Sequence, residues 1–183
     1  MVLSKNMQKL VAGSSTIRKL FEEGIELAKE VGAENVYDFS LGNPAAPVPE
    51  EVKKSIYDIL ENRNANFVHC YMPNAGYPEV REKVAANLNK KYNSSFTKDD
   101  IIMTVGAAGG INCVLRCLLE AEDEVLCFAP FFGEYNSYVM NFGGNLKVVP
   151  ADYETLQLNV EEADKYITER TKAVIINNPN NPS

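Results

Sequence analysis

A run of small residues, GAAGG at positions 106–110, separates an apolar segment from a helical pattern. Side chains no larger than a methyl group let a phosphate approach the backbone. At the start of a helix, the free amide groups and the helix dipole favour an anion. The run therefore indicates a phosphate-binding turn, and a tight turn that simply requires small residues is the plainer alternative.

The same run also resembles the dinucleotide-binding loop of short-chain dehydrogenases. That family carries its loop after the first strand, near the N-terminus, and a Tyr-x-x-x-Lys pair further along the chain. Here the run begins only at residue 106, and no later tyrosine has a lysine four residues after it. The missing catalytic pair rules out the dehydrogenase interpretation.

The cysteines and the single histidine do not form a reactive set. Cys113 and Cys117 would share one helical face, but no second pair of metal ligands follows them. His69 and Cys70 are neighbours, and neighbouring side chains in an extended segment point to opposite faces. We therefore expect no metal site and no triad hydrolase. Cys113, Cys117 and Cys127 lie in apolar runs, which predicts buried, reduced thiols.

Composition and charge exclude two further classes of function. The net charge is -7 without a lysine or arginine cluster, whereas nucleic-acid binding depends on basic surface. The apolar stretches are too short to span a bilayer, and the N-terminal residues carry no signal-peptide core. We expect a cytoplasmic protein with no nucleic-acid or membrane partner.

The elements that must position the small-residue run alternate between strand and helix patterns. The periodicity predicts helices at 14–31, 50–62, 78–92, 111–119, 132–142 and 160–167, and strands at 36–41, 101–105, 124–128, 146–149 and 173–176. Alternation of this kind predicts an α/β fold with a buried, mainly parallel sheet. The chain stops at Ser183, directly after the last predicted strand, so we expect it to be part of a longer protein.

Five short segments, taken in chain order, together resemble the motifs of a known enzyme family. They are SLGNP at 40–44, YMPNAGYPEVR at 71–81, GAA at 106–108, APFFGEY at 129–135 and NPNNPS at 178–183. Their order and separation resemble the class I/II aminotransferases of the aspartate aminotransferase type, which are pyridoxal-phosphate-dependent enzymes of fold type I. The resemblance covers nearly the whole chain, and its second and fifth segments are the most specific.

That resemblance implies a fold and a division into domains. It predicts the three-layer, mainly parallel α/β sheet of the pyridoxal-phosphate transferase large domain, incomplete in this chain. Residues 1–46 would form an N-terminal arm and a segment of the small domain. Residues 47–183 would form the first part of the large, cofactor-binding domain.

The resemblance also implies residues that hold pyridoxal 5'-phosphate. Gly106, Ala107 and Ala108 match the positions whose backbone amides hold the cofactor phosphate. Phe132 matches the aromatic residue that stacks on the pyridine ring. Asn181 matches the asparagine that bonds the phenolic oxygen and so helps the cofactor to accept electrons. In the family, the bonds before the prolines that match Pro130 and Pro182 are often cis.

Two further positions match residues with roles in the dimer and in substrate binding. Tyr71 resembles the tyrosine that reaches across a homodimer interface to the partner's phosphate. Gly42 resembles the glycine whose amide meets the substrate carboxylate. The activity implied is transfer of an amino group from an amino acid to a 2-oxo acid, in a biosynthetic process.

The family's catalytic lysine follows the fifth segment by some tens of residues, beyond Ser183. We therefore expect the 183-residue chain alone to be inactive and to contain no catalytic residue. Two alternatives remain open. One is a non-catalytic module that binds a phosphate ligand or a protein partner, and the other is a related pyridoxal-phosphate lyase.

Overall fold

The computed structural model describes residues 2–12, 16–40, 42, 46–152 and 154–182. The chain packs as two compact units, residues 1–71 and residues 72–183. These compact units do not test the domain boundary predicted after residue 46, which stays a prediction. No helix in the described part of the chain is long and apolar enough to cross a membrane.

The first unit is helical. Its elements are α1 (Lys5–Ala12), α2 (Thr16–Val31), a 3-10 turn (Ala33–Asn35), α3 (Glu50–Asn62) and α4 (Ala65–Val68). The carboxylates of Glu50 and Glu51 lie in the first turn of α3, where they complement the helix dipole. The strand predicted at 36–41 is wrong over its described residues, 36–40. Val36 is extended, but no strand of the described part of this unit lies beside it to form a ladder.

The second unit begins with a helix that has clear signals at both ends. Helix α5 (Pro78–Tyr92) starts with a proline in its first turn and ends at Asn93, which has a left-handed conformation with φ +52°. A 3-10 turn (Lys98–Asp100) follows, closed by a capping box between Thr97 and Asp100. The predicted helix at 78–92 is confirmed.

The segment 101–105 was predicted to be a strand, and the structure does not bear this out. It forms no ladder with any described strand, although the Met103 amide donates to the Ala75 carbonyl over 2.9 Å. Gly76 makes this approach possible because it has φ +95°, and a β-carbon there would lie 2.6 Å from Cγ of Met103. The segment is thus held by the turn before α5 and not by the sheet.

The sheet contains three parallel strands in the order β2-β1-β3. They are β1 (Glu124–Phe128), β2 (Asn145–Val149) and β3 (Thr171–Ile175), close to the predicted positions. β1 lies in the centre and every one of its residues is buried. This confirms the α/β class and the parallel arrangement.

Helices and turns cover both faces of the central strand. Val125 packs with Leu115, Leu119 and Val139 on one face, which carries α6 (Gly106–Leu118) and α7 (Glu134–Met140). Leu126 and Phe128 point to the other face and pack with Val149 and with Ala163, which lies in a 3-10 turn (Val160–Lys165). The alternation of side chains along β1 therefore separates two apolar layers.

Several predicted boundaries and exposures need correction. α6 begins at Gly106 and not at 111, α7 is shorter than 132–142, and the predicted helix at 160–167 is a 3-10 turn. Cys113 and Cys117 are exposed, and only Cys127 is buried. The buried positions are Leu115 in α6 and Leu119 directly after it, four residues apart. Residues two positions away lie about 200° around the helix, on its open side.

Candidate functional site

The carboxyl ends of the parallel strands bring two loops to one edge of the sheet. The loop after β1 carries Phe132, and the loop after β3 carries Asn181. Because β1 and β3 are hydrogen-bonded neighbours that run in the same direction, both loops leave the sheet at the same edge. Ligands of open α/β sheets bind at this edge.

Helix α6 points its N-terminus toward the same edge. The helix packs against β1 through Leu115 and Leu119, and only five residues separate its last residue, Leu118, from Glu124. Such a short connection requires α6 to run antiparallel to β1. A helix of 13 residues is about 20 Å long, so its first residue, Gly106, reaches the carboxyl edge.

The turn into α6 leaves two backbone amides open. Val105 has φ -79° and ψ 81°, and the Gly106 amide donates to the Thr104 carbonyl over 3.0 Å, which forms an inverse γ-turn. The amides of Ala107 and Ala108 follow in the first turn. They have no acceptor within the helix, and no described residue outside it offers them a backbone carbonyl. Both residues are exposed, and they lie at a helix N-terminus, where the dipole attracts an anion.

Two glycines of this turn have structural reasons, one in the backbone conformation and one in the packing. Gly106 has φ +68°, a conformation that other residues rarely adopt. A β-carbon on Gly110 would lie 3.2 Å from Oγ1 of Thr104, whose hydroxyl donates to the Gly106 carbonyl over 3.0 Å. The sequence prediction of a phosphate-binding turn is therefore compatible with the structure, although the turn belongs to the helix itself.

An aromatic cluster supports the loop after β1. Phe132 is 39% exposed and meets Tyr135 edge to face, with ring centroids 5.7 Å apart and an interplanar angle of 80°. Tyr135 is buried, and burial, with smaller contributions from Cys127 and Tyr138, raises the pKa of its hydroxyl. A fixed, buried ring thus holds a half-open one, which leaves part of Phe132 free to cover a flat ligand.

Backbone and side-chain bonds organise the loop after β3. The Asn180 side-chain amide donates to the Pro130 carbonyl over 2.9 Å and joins the two loops. With its amide group turned to suit both neighbours, Asn177 accepts from the Asn181 backbone amide over 2.9 Å. The bonds before Pro130 and Pro182 are cis, as the resemblance implies, and so is the bond before Pro179. The side chain of Asn181 itself is exposed.

The remaining predicted residues lie in the first unit. Gly42 and the Tyr71 side chain are both exposed. Residues 41 and 43–45, beside Gly42, lie outside the described residues. The roles of Gly42 and Tyr71 stay predictions.

Two residues that organise this edge were not singled out from the sequence. Asn180 was given no role, and Tyr135 was cited only as part of a motif. Asn180 contacts Pro130, 50 residues away, and Tyr135 contacts Phe132, three residues away. The local sequence pattern carries no signal for either contact. Within the described residues, no group of three or more histidine, cysteine, aspartate or glutamate side chains could hold a metal ion.

Comparisons with known proteins show the family of this chain. The sequence pattern of the family described as aminotransferase class I and II matches residues 33–183. Aromatic-amino-acid aminotransferase 2 of Thermococcus litoralis is 36% identical over 186 residues, which cover 100% of this chain and 44% of that protein. An aspartate aminotransferase of Pyrococcus abyssi is 36% identical and covers 92% of this chain and 41% of that protein.

Solved structures share the fold. An aminotransferase from Eubacterium rectale matches with a TM-score of 0.93 and 40% identity, over 100% of this chain and 46% of that chain. The aspartate aminotransferase of Thermus thermophilus, solved with maleate, matches with a TM-score of 0.84 and 28% identity, again over 100% and 46%. The chain spans less than half the length of each of these relatives.

The chain belongs to the class I and II aminotransferases. Members of this family depend on pyridoxal phosphate and act on amino acids and 2-oxo acids. The part of the family fold present here is a three-stranded portion of the large-domain sheet, with the candidate site at its carboxyl edge.

Proposed function

We propose that the whole protein is a pyridoxal-phosphate-dependent aminotransferase, and that this chain supplies its phosphate, ring and ring-oxygen contacts. The observation that carries the proposal is the pair of open amides at Ala107 and Ala108. They lie at a helix N-terminus that reaches the same sheet edge as Phe132 and Asn181.

The residues fit the cofactor in chemistry and in placement. The amides of Ala107 and Ala108 would donate to the phosphate, and the helix dipole would favour its charge. Phe132 would cover one face of the pyridine ring, because the edge-to-face contact with Tyr135 already fixes the plane of the Phe132 ring. The side chain of Asn181 is exposed on the adjacent loop, and its amide group would donate to the ring oxygen.

Bound pyridoxal phosphate would act as an electron sink for bonds at the α-carbon of an amino acid. The residues proposed here would hold and orient the cofactor. A hydrogen bond from Asn181 to the ring oxygen would stabilise its anionic form and lower its proton affinity. Stacking on Phe132 would keep the ring in one plane during the reaction.

The remaining features of the proposal rest on the family resemblance. We include a homodimer in which Tyr71 reaches the partner's cofactor phosphate, and a substrate carboxylate that meets the Gly42 amide. We also include a cytoplasmic location and a biosynthetic role. The substrates proposed are an amino acid and a 2-oxo acid.

Purified whole protein with pyridoxal phosphate tests the proposal. We expect a visible absorbance band that borohydride removes, leaving the cofactor attached to a lysine. A panel of amino acids with 2-oxoglutarate should then give stoichiometric glutamate. Elimination products without glutamate would instead establish the lyase alternative. Failure to bind any cofactor would leave the non-catalytic module and contradict the proposal.

A further inference from the structure

A side-chain hydrogen bond joins the loops after β1 and β3. Nδ2 of Asn180 donates to the carbonyl oxygen of Pro130 over 2.9 Å, across 50 residues of chain. Asn180 directly precedes Asn181, and Pro130 lies two residues before Phe132. The bond therefore joins the two segments that carry the residue proposed to bind the ring oxygen and the residue proposed to cover the ring.

The surroundings of this bond are closely packed. Asn180 is half-buried and lines a crevice with Phe131, Tyr135 and Asn177, which has room for about one water molecule at most. Phe131 stacks on Tyr135 with ring centroids 6.5 Å apart, while Phe132 meets the same tyrosine edge to face. Little space is left in which either loop could shift while the other stays in place.

We propose that Asn180 is a positioning residue, which sets the distance between Asn181 and Phe132 through its bond to Pro130. This inference rests on the proposed function, because it assumes that the cofactor ring contacts both of those residues. Asn180 does not touch the ring in this proposal. It fixes the two groups that do, so that the ring meets a slot of the correct width without reorganisation.

The chemistry of the bond specifies the variant that tests it. Replacing Asn180 by Asp keeps the shape of the side chain but removes the donor, since an ionised carboxylate only accepts. The carboxylate would then face the Pro130 carbonyl oxygen, and the loops should separate. Protonation of the introduced carboxyl restores an O–H donor, so the defect should diminish as the pH falls.

The experiment compares whole protein carrying Asn180→Asp with Asn178→Asp, which adds the same charge to an exposed position of the same turn. We expect Asn180→Asp to weaken cofactor binding about tenfold beyond the control at pH 8, and to shift the visible band. The ratio of the two dissociation constants should approach one at acidic pH. Urea unfolding of both variants without cofactor checks that each remains folded.

A double-mutant cycle gives the readout that a purely structural role would not produce. If Asn180 acts by placing Asn181, then Asn180→Asp and Asn181→Ala should weaken cofactor binding by less than the product of their separate factors. Equal affinities for Asn180→Asp and its control, or fully multiplicative factors, would overturn the inference while leaving the proposed function intact. If the unmodified whole protein does not bind the cofactor, the proposed function is refuted instead.

Discussion

The Arg81 guanidinium donates from Nη1 to the carbonyl oxygen of Lys98 over 2.8 Å and so ties helix α5 to the turn before residue 101. Its side chain is only 12% exposed and lies 4.0 Å from the Asp99 carboxylate. Because segment 101–105 leads directly to Gly106, this contact helps to place the proposed phosphate-binding turn.

Replacing Arg81 by Met removes the donors and keeps much of the apolar stem. We expect the free energy of unfolding of the 183-residue chain to fall by about 1.5–3 kcal/mol, the range for hydrogen bonds to charged groups. Urea unfolding measures the change. Arg116→Met, at an exposed position of α6, is the matched control and should change stability by less than about 0.5 kcal/mol. Equal losses in the two variants would refute the role of Arg81.

The acid sensitivity of the sheet should depend on Glu124. Its carboxylate accepts from the Thr168 hydroxyl over 2.6 Å and lies 3.2 Å from the Lys147 ammonium. The hydrogen bond from Thr168, assisted by Lys147, holds the pKa of Glu124 below its ordinary value despite the opposing effect of burial. In the unfolded chain the group takes up its proton at a higher pH, so the stabilisation is lost as the pH falls through the folded pKa.

We therefore expect the stability difference between the unmodified chain and Glu124→Gln to be largest at neutral pH and to shrink in acid. Thr168→Val removes the main hydrogen-bond donor and should flatten the same part of the pH profile. Urea unfolding at a series of pH values measures both effects. Parallel profiles for all three proteins would show that Glu124 does not contribute to acid sensitivity.

Local sequence pattern predicted the elements that hold the site but not the contacts between them. β1 and β3 follow from short apolar runs, and their parallel arrangement from the helices between them. The roles of Phe132 and Asn181 came from the family resemblance, and the structure adds that their loops leave the sheet at one edge. The bond between Asn180 and Pro130 could not be predicted, because it joins positions 50 residues apart and depends on the register of two loops.

Two sequence predictions about secondary structure were wrong, and each error has a physical cause. Segment 101–105 has an apolar strand pattern, but a strand requires a neighbouring ladder, which local composition does not specify. Gly106, Gly109 and Gly110 have low helix propensity, so the start of α6 was predicted to be a loop. The left-handed conformation of Gly106, and the close packing of Gly110 on Thr104, favour glycine at these two positions despite that propensity.

The thiols should differ sharply in reactivity. Burial raises the pKa of Cys127 to about 11, whereas Cys70, Cys113 and Cys117 are exposed. Since the thiolate is the reactive form, Cys127 of the folded chain should react at least about a hundredfold more slowly near pH 8. Maleimide labelling followed by mass spectrometry would detect three fast sites and one slow site. Cys127→Ala should remove only the slow phase, and four equal rates in the folded chain would contradict its burial.

The proposed contact between subunits can be tested at Tyr71. If its hydroxyl donates to the partner's cofactor phosphate, Tyr71→Phe should weaken cofactor binding by about 1.5–3 kcal/mol, as for one hydrogen bond to a charged group. Tyr57→Phe, at an exposed position of α3, is the control. Equilibrium titration of the whole protein with pyridoxal phosphate measures both changes. Unchanged affinity in the Tyr71 variant would remove this residue from the site.

A crystal structure of the whole protein with pyridoxal phosphate tests the central claim most directly. We expect phosphate oxygens within hydrogen-bonding distance, about 2.7–3.2 Å, of the backbone nitrogens of Ala107 and Ala108. The pyridine ring should then lie against Phe132, with its ring oxygen beside Asn181. A cofactor phosphate bound away from the N-terminus of α6 would contradict the account.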